Sequence, residues 1–336
     1  MAYQYENVKL DKSMYRRAGA TFAQVLEEQD PSGQYKGTEL EGLDAFQRQL
    51  KRFDIKVKGP DSDCVEKFFT AADSAILFPE YISRCVHQGV QEANVLAHLV
   101  GSVTHIDGMD YRSITVENDE NQELKLVSEG AAIPGTTIRA QSNLVKLRKR
   151  GRMLVASYEA IRHQKLDLFS ITLRQIGANI AAMQLADAVE VLIDGDGNGN
   201  AAVVHQVKNK GVLTYEDLVD LWVKMRPYEM STMLVSEDLM GQLLKLPELQ
   251  NPLGGMNFAG TGKLVTPFGA TLLCVCNMPA GYIIGLDKRY ALELVECGDV
   301  CVEYDKLIDR QLERAAITVT CGFAKMFRDA GMILEV

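Results

Sequence analysis

The sequence predicts an α+β chain organised around one long helix. Three observations carry that reading. Apolar residues recur at helical spacing through the N-terminal third, a second stretch keeps helical spacing unbroken over about 166–193, and the C-terminal region alternates as strands do.

Taken in order, Met14, Ala18, Phe22, Val25 and Leu26 make one helical stripe. Leu40, Leu43, Phe46, Leu50 and Phe53 make a second, at spacings of three and four. Asp30-Pro-Ser-Gly33 between them is a turn cluster. Residues 1–60 are therefore expected as two amphipathic helices, packed on a neighbour or on the main body, with Lys58-Gly-Pro-Asp61 as a linker. Residues 64–102 read as mostly helical, with Pro79 just inside a helix start, where its missing amide is no loss. Residues 111–116 alternate as a strand, and Glu117–Asn121 is a polar turn. Residues 123–127 and 144–158 are expected as the two arms of a hairpin with Pro134-Gly135 near its tip.

The long helix carries Phe169, Leu173, Ile176, Ile180 and Met183 on one stripe, with Ala178, Ala181, Ala182 and Ala186 around it. At 1.5 Å per residue it spans about 40 Å. It stops at Asp194-Gly-Asp-Gly-Asn-Gly-Asn200, a polar turn. Beyond Leu213 the elements shorten. Thr214 and Asp217 have capping-box spacing, Thr232–Val235 is a strand, and Ser236-Glu-Asp238 opens the next helix. Residues 247–270, rich in Gly, Pro and Asn, read as a long loop. Strands are expected at 271–276, 282–286, 291–295, 315–320 and 332–336.

Composition excludes several classes. With 47% hydrophobic residues in 336, the chain can bury a real core. A net charge of −9 argues against a dedicated nucleic-acid binder. No apolar leader opens the chain and no unbroken run of about 18 apolar residues occurs, so neither a secretory signal nor a membrane span is expected. Seven cysteines, an odd number set in apolar segments, read as reduced, buried thiols, including Cys274 and Cys276, which share one face of a strand.

Motifs for chemistry fail one by one. Asp194, Asp196, Asn198, Gly199 and Asn200 match the first half of a calcium loop, but His205 stands where a bidentate Glu belongs. Gly262-Lys263 lacks the upstream Gly and the following Ser or Thr of a phosphate loop. The cysteine and histidine spacings do not build a zinc site, and no nucleophile elbow occurs. No catalytic residue, cofactor site or metal site is expected.

What remains is charge. Lys146, Arg148, Lys149, Arg150 and Arg152 are the strongest basic cluster in an acidic chain. Val145, Leu147, Met153 and Val155 add an apolar face. Nucleic-acid contact and a solvated hairpin are alternatives. An apolar face on a projecting arm must be buried on something, so docking on acidic patches of identical neighbours ranks first.

Four stretches resemble the major capsid proteins of tailed bacteriophages, in the fold named after phage Hong Kong ninety-seven. Ser128-Glu-Gly-Ala-Ala-Ile-Pro134 is similar to the tip of that family's extended loop, and Val155-Ala-Ser157 with Glu159 to its return strand. Asp194-Gly-Asp-Gly-Asn-Gly199 resembles the turn after its spine helix, and Gly285-Leu-Asp287, with the ending through Arg314, Val319 and Ala324, its closing segment. The resemblance covers roughly residues 70–336.

It implies an N-terminal arm at the start of residues 61–116, an extended loop over 117–157 and a peripheral domain with the spine helix over 158–211. An axial domain over 212–290 and peripheral strands over 291–336 follow, after a helical extension over 1–60 that is a candidate scaffold segment. It implies a non-enzymatic shell subunit of a tailed double-stranded DNA phage or prophage, forming hexamers and pentamers of an icosahedral shell. Its partners would be identical copies, a portal, scaffold or decoration proteins, and packaged DNA by proximity, with no membrane. The protein would reside in the virion after assembly in the host cytoplasm. Intersubunit contacts would come from Arg139, Lys146, Arg148, Lys149, Arg150 and Arg152. Gly130 stands where crosslinking relatives carry a lysine, so adhesion would be non-covalent. An encapsulin shell around protein cargo is the alternative, and an enzyme with a metal or nucleotide site the third class.

Overall fold

The computed structural model describes residues 4–17, 19–116, 126–129, 138–250, 268–298 and 300–336. The expected hairpin tip, Gly130, Gly262-Lys263 and most of the 247–270 loop lie outside them. The chain divides into two compact units. The first holds residues 1–94, 149–182 and 298–320, and the second 95–148, 183–297 and 321–336.

The first unit opens with helices α1 (Phe22–Gln29) and α2 (Ala45–Arg52). Both start in reciprocal capping boxes that the sequence reading did not register: Thr21 with Gln24, and Asp44 with Gln47. Short α3 (Ala72–Ala75) leads to α4 (Phe78–Glu92), with Pro79 in its first turn as expected. Residues 4–57 are not a loose extension. Leu10, Phe22, Leu26, Phe46 and Leu50 share one core with Phe68, Phe78, Ile82, Leu173 and Ile176. Arg48, fully buried, is bound through Nε to the equally buried Asp30 Oδ2 at 2.6 Å, and its guanidinium lies 4.4 Å from the Tyr35 ring centre.

Strands β1 (Val100–Ile106), β2 (Ile114–Val116), β3 (Ile138–Ala140) and β4 (Arg148–Ser157) follow, then α5 (Tyr158–His163) and α6 (Leu166–Asp194). Over its first turns, α6 meets α4 backbone to backbone. A Cβ on Gly177 would stand 2.1 Å from the Val86 carbonyl oxygen, and one on Gly89 2.1 Å from that of Arg174. The 29 residues of α6 are, by length and mean hydropathy, enough to cross a membrane, which a count of unbroken apolar runs had not shown. Leu166, Leu173, Ala188 and Leu192 are fully buried in protein, as in the core helix of a folded domain.

The remaining elements are β5 (Val203–Gln206), α7 (Tyr215–Lys224), β6 (Thr232–Ser236), α8 (Glu237–Leu243), α9 (Pro247–Gln250), β7 (Thr271–Val275) and β8 (Tyr282–Leu286). They are followed by β9 (Leu292–Cys297), β10 (Cys301–Leu307), β11 (Leu312–Lys325) and β12 (Gly331–Glu335). In the second unit a mixed sheet runs β5-β12-β8-β6-β7. Its β6 is buried at every position, hence its lack of polar alternation. Beside it β9 pairs parallel with β1 and antiparallel with Cys321–Lys325 of β11. In the first unit β10 pairs antiparallel with Leu312–Thr318 of β11.

Four expectations change. The end of the segment read as helical is β1, whose β-branched Val100, Val103 and Thr104 pair with β9. Strand β10 was not foreseen. Strand β4 pairs with β11, and the arm's described pairing is β2 with β3, while residues 123–125 of the expected hairpin lie outside the described residues. Cys274, Cys276 and Cys301 are exposed: Cys274 is near the end of β7, the edge strand of its sheet, Cys276 follows it, and Cys301 opens β10, the edge strand of the other; only Cys85 and Cys321 are buried.

Candidate functional site: the clamped arm

The basic cluster separates on folding. Lys146, Lys149, Arg152 and, on β3, Arg139 are exposed, and Arg150 is half-buried. Arg148 instead turns onto α6 of its own chain. Its Nη1 donates to Asp187 Oδ1 at 2.5 Å and to Glu190 Oε2 at 2.7 Å, and its Nη2 to Glu190 Oε1 at 2.5 Å. These bonds push the guanidinium pKa up and hold the Glu190 carboxyl below its ordinary value.

The arm has two described legs. The outgoing leg runs through Tyr111–Val116 and the return leg through Ile138–Leu147, and β2 and β3 pair between them. Gln141 N donates to Ser113 O at 2.8 Å, and Val145 N to Tyr111 O at 2.8 Å. The outgoing leg is held by Glu293 of β9, a carboxylate 6% exposed. Its Oε1 accepts Thr104 Oγ1 and Tyr111 OH, each at 2.6 Å, and its Oε2 accepts the Ser113 hydroxyl. Burial and that carboxylate raise the Tyr111 pKa.

The return leg sits on the glycine turn. Gly195, Gly197 and Gly199 have φ of +81°, +93° and +73°, a region that only glycine enters without strain. The turn so formed points Asn198 at the arm. Asn198 Nδ2 donates to Gln141 Oε1 at 3.0 Å, and Asn143 N donates to Asn198 Oδ1 at 2.9 Å. Asn143 Nδ2 donates to the Gly197 carbonyl at 2.6 Å. Asp196, the best remnant of a calcium motif, accepts Asn198 N and Nδ2 on Oδ1 and Lys325 N on Oδ2. Both of its oxygens are thus occupied by donors.

Lys325, at the end of β11, is fully buried and completes the socket. Its Nζ donates to the Leu192 carbonyl in the last turn of α6 at 3.1 Å, and its carbonyl accepts Gln141 Nε2 and Asn200 Nδ2, each at 3.2 Å. Burial brings its pKa down to about 8. A polar cleft of about 450 Å³ adjoins the socket, lined among others by Arg139, Asn143, Asn198, Tyr228 and Arg328. Guanidinium and carboxamide groups can bind anions but form no nucleophile–base pair. No group of three or more metal-ligating side chains occurs among the described residues.

The arm also shows apolar surface. Ile114 on the outgoing leg and Ile138 and Leu144 on the return leg are exposed, as are Leu126 and Val127 between them in sequence. Exposed apolar side chains close together in one ribbon mark an interaction surface.

Sequence reasoning placed the arm and the turn but missed Glu293, Gln141, Asn198 and Lys325 as its anchors. An acid set between Leu292 and Leu294 in β9 was the available signal for Glu293. Lys325 carried none, since its burial follows from the packing of β11 under the turn.

Comparison with known proteins agrees with this geometry. Residues 141–296 match the family model described as phage capsid protein. No curated protein matches the sequence. Among solved structures, the virus-like particle from Pyrococcus furiosus is similar at 14% identity, over 76% of this chain and 98% of that one, with a TM-score of 0.52. The capsid of the native GTA particle matches at 17% identity, over 72% and 89%, with a TM-score of 0.54. Mycobacterium phage Che8 matches at 15%, over 72% and 90%, with a TM-score of 0.52. At these identities the likeness shows the fold, which is that of capsid shells. The family match runs through the return leg, the α6 turn and the strands up to Glu296, so the chain has the Hong Kong ninety-seven capsid fold and is similar to phage capsid proteins.

Proposed function

We propose that this chain is the major shell subunit of a tailed double-stranded DNA bacteriophage or prophage, assembling as hexamers and pentamers into an icosahedral shell around the genome. The observation that carries this is the arm: a ribbon clamped at its base that exposes Ile114, Ile138 and Leu144 together with Arg139 and Lys146, and that leads into β4 with its exposed Lys149 and Arg152. A subunit with such an arm is incomplete alone. A second copy supplies both the apolar cover and acidic partners, since the chain carries 45 acidic residues against 36 basic ones.

In this reading residues 117–157 form the extended loop, 158–211 and 291–336 the peripheral domain, and 212–290 the axial domain. Arg139, Lys146, Lys149, Arg150 and Arg152 contact neighbours, while Arg148 fixes the start of β4, which bears Lys149, Arg150 and Arg152. Adhesion is non-covalent, with Gly130 in place of a crosslinking lysine. The shell forms in the host cytoplasm, joins a portal and scaffold or decoration proteins, and meets DNA through proximity. The likeness to a virus-like particle, a GTA capsid and a phage supports a shell of many copies.

Electron microscopy of the purified protein tests the reading: closed shells or capsomers are expected, and a monomer at high concentration overturns it. Adjacent portal and terminase genes would mark a genome-enclosing shell. An adjacent cargo gene instead would mark an encapsulin.

A further inference from the structure

We propose that Glu293 and Asn198 are positioning residues that set the angle at which the arm leaves the subunit, and so the curvature at which copies join; this rests on the shell reading above. Each leg of the arm has its own polar anchor. Glu293 takes three hydroxyl donors, two of them from Tyr111 and Ser113 on the outgoing leg. Asn198 holds Gln141 and Asn143 on the return leg through both ends of its carboxamide. These anchors are directional. A hydrogen bond weakens steeply as its angle departs from linear, whereas apolar burial tolerates sliding. Two anchors on separate elements, β9 and the glycine turn, fix a ribbon's direction where one would leave a pivot. Above the anchors the two legs pair with each other over Ile114–Val116 and Ile138–Ala140, so this ribbon takes its heading from its base.

The anchors also share a hub. Gln141, 4% exposed, bonds to Asn198, to the Lys325 carbonyl and, through its amide, to Ser113 O. Loss of Asn198 therefore leaves the return leg on its bonds to the Lys325 and Gly197 carbonyls, and loss of Glu293 removes three bonds at the outgoing leg's base, so either change loosens one leg while the other keeps its anchor. A small change of heading, repeated at every copy, changes the number of copies that closes a shell.

The test uses the full-length protein, wild type beside Asn198→Ala and Glu293→Ala. Circular dichroism reports folding, amide exchange reports the legs, and electron microscopy reports shell diameter. Both variants are expected to keep the wild-type spectrum, to exchange faster at 111–116 and 138–147, and to lose a single shell size in favour of mixed diameters or open sheets. A purely stabilising role would lower the melting temperature and leave the diameters of the shells that form unchanged. Wild-type diameters with wild-type spread overturn the proposal. Should Glu293→Ala fail to fold, Ser113→Ala removes one donor from the same carboxylate and is read in the same way. If the wild type itself makes no shells, the shell reading fails, and unchanged amide exchange in the variants would separately refute the anchoring.

Discussion

Arg148 grips Glu190 through two parallel hydrogen bonds, Nη2 to Oε1 at 2.5 Å and Nη1 to Oε2 at 2.7 Å, while reaching Asp187 with the same Nη1. A residue that sequence alone places in an interface cluster is thereby bound to its own chain. The fork geometry is what arginine offers and lysine does not.

Arg148→Ala is expected to destabilise the subunit by about 1–3 kcal/mol, because the buried Asp187 loses its charged donor. Glu190 has a folded pKa below its ordinary one, so its contribution is present at neutral pH and lost as pH falls through the depressed value. The variant should therefore lose less stability on acidification than wild type. Urea denaturation at pH 7 and pH 4 measures both. Lys149→Glu, at an exposed position, should leave the urea midpoint unchanged and reduce assembly in electron micrographs.

Lys325 sets an alkaline limb. Its folded pKa is about 8 against an ordinary 10.5, so between these values the unfolded chain binds more protons. Stability should rise with pH across that window, by up to about 3 kcal/mol at about 1.4 kcal/mol per unit. Lys325→Met should flatten the rise, and the difference between the two proteins' urea midpoints from pH 7 to 10.5 isolates it from other groups.

The crossing of α4 and α6 leaves no space at Gly177. A methyl there would stand 2.1 Å from a carbonyl oxygen. Gly177→Ala should cost about 3 kcal/mol through forced separation of the helices, despite alanine's better helix propensity. A melt monitored at 222 nm checks this; a rise in melting temperature would contradict the backbone contact.

Asp30→Ala would remove the nearest carboxylate from the fully buried Arg48 guanidinium and leave it Glu27 at 3.7 Å, at a cost of about 3 kcal/mol. Because residues 4–57 share a core with α4 and α6, the loss should appear in the single cooperative transition of the first unit rather than as fraying of the N-terminus. Chemical denaturation with amide exchange at Ile82 and Leu173 distinguishes the two.

Legibility in the sequence varied with the range of the interaction. Helix α6 and its stop at Asp194 were legible because both are local: apolar spacing builds the helix, and three glycines at positive φ end it. The same holds for β8, the Thr214 cap and Pro79. The calcium-like spacing at Asp194–Asn200 was legible too, but its meaning was not. Its Asn198 carboxamide serves the arm, and Gln141 lies 57 positions away from Asn198 in the chain.

The sequence by itself determined an α+β chain with a long helix, a basic arm before it and a glycine turn after it, since periodicity, charge and turn chemistry act over a few residues. Only the tertiary structure decided that Arg148 faces inward, that Cys274 and Cys276 face outward, and that Glu293, Asn198 and Lys325 anchor the arm. Those outcomes depend on which distant groups meet, and a hydrogen bond between residues 182 positions apart, such as Tyr111 to Glu293, leaves no spacing to read.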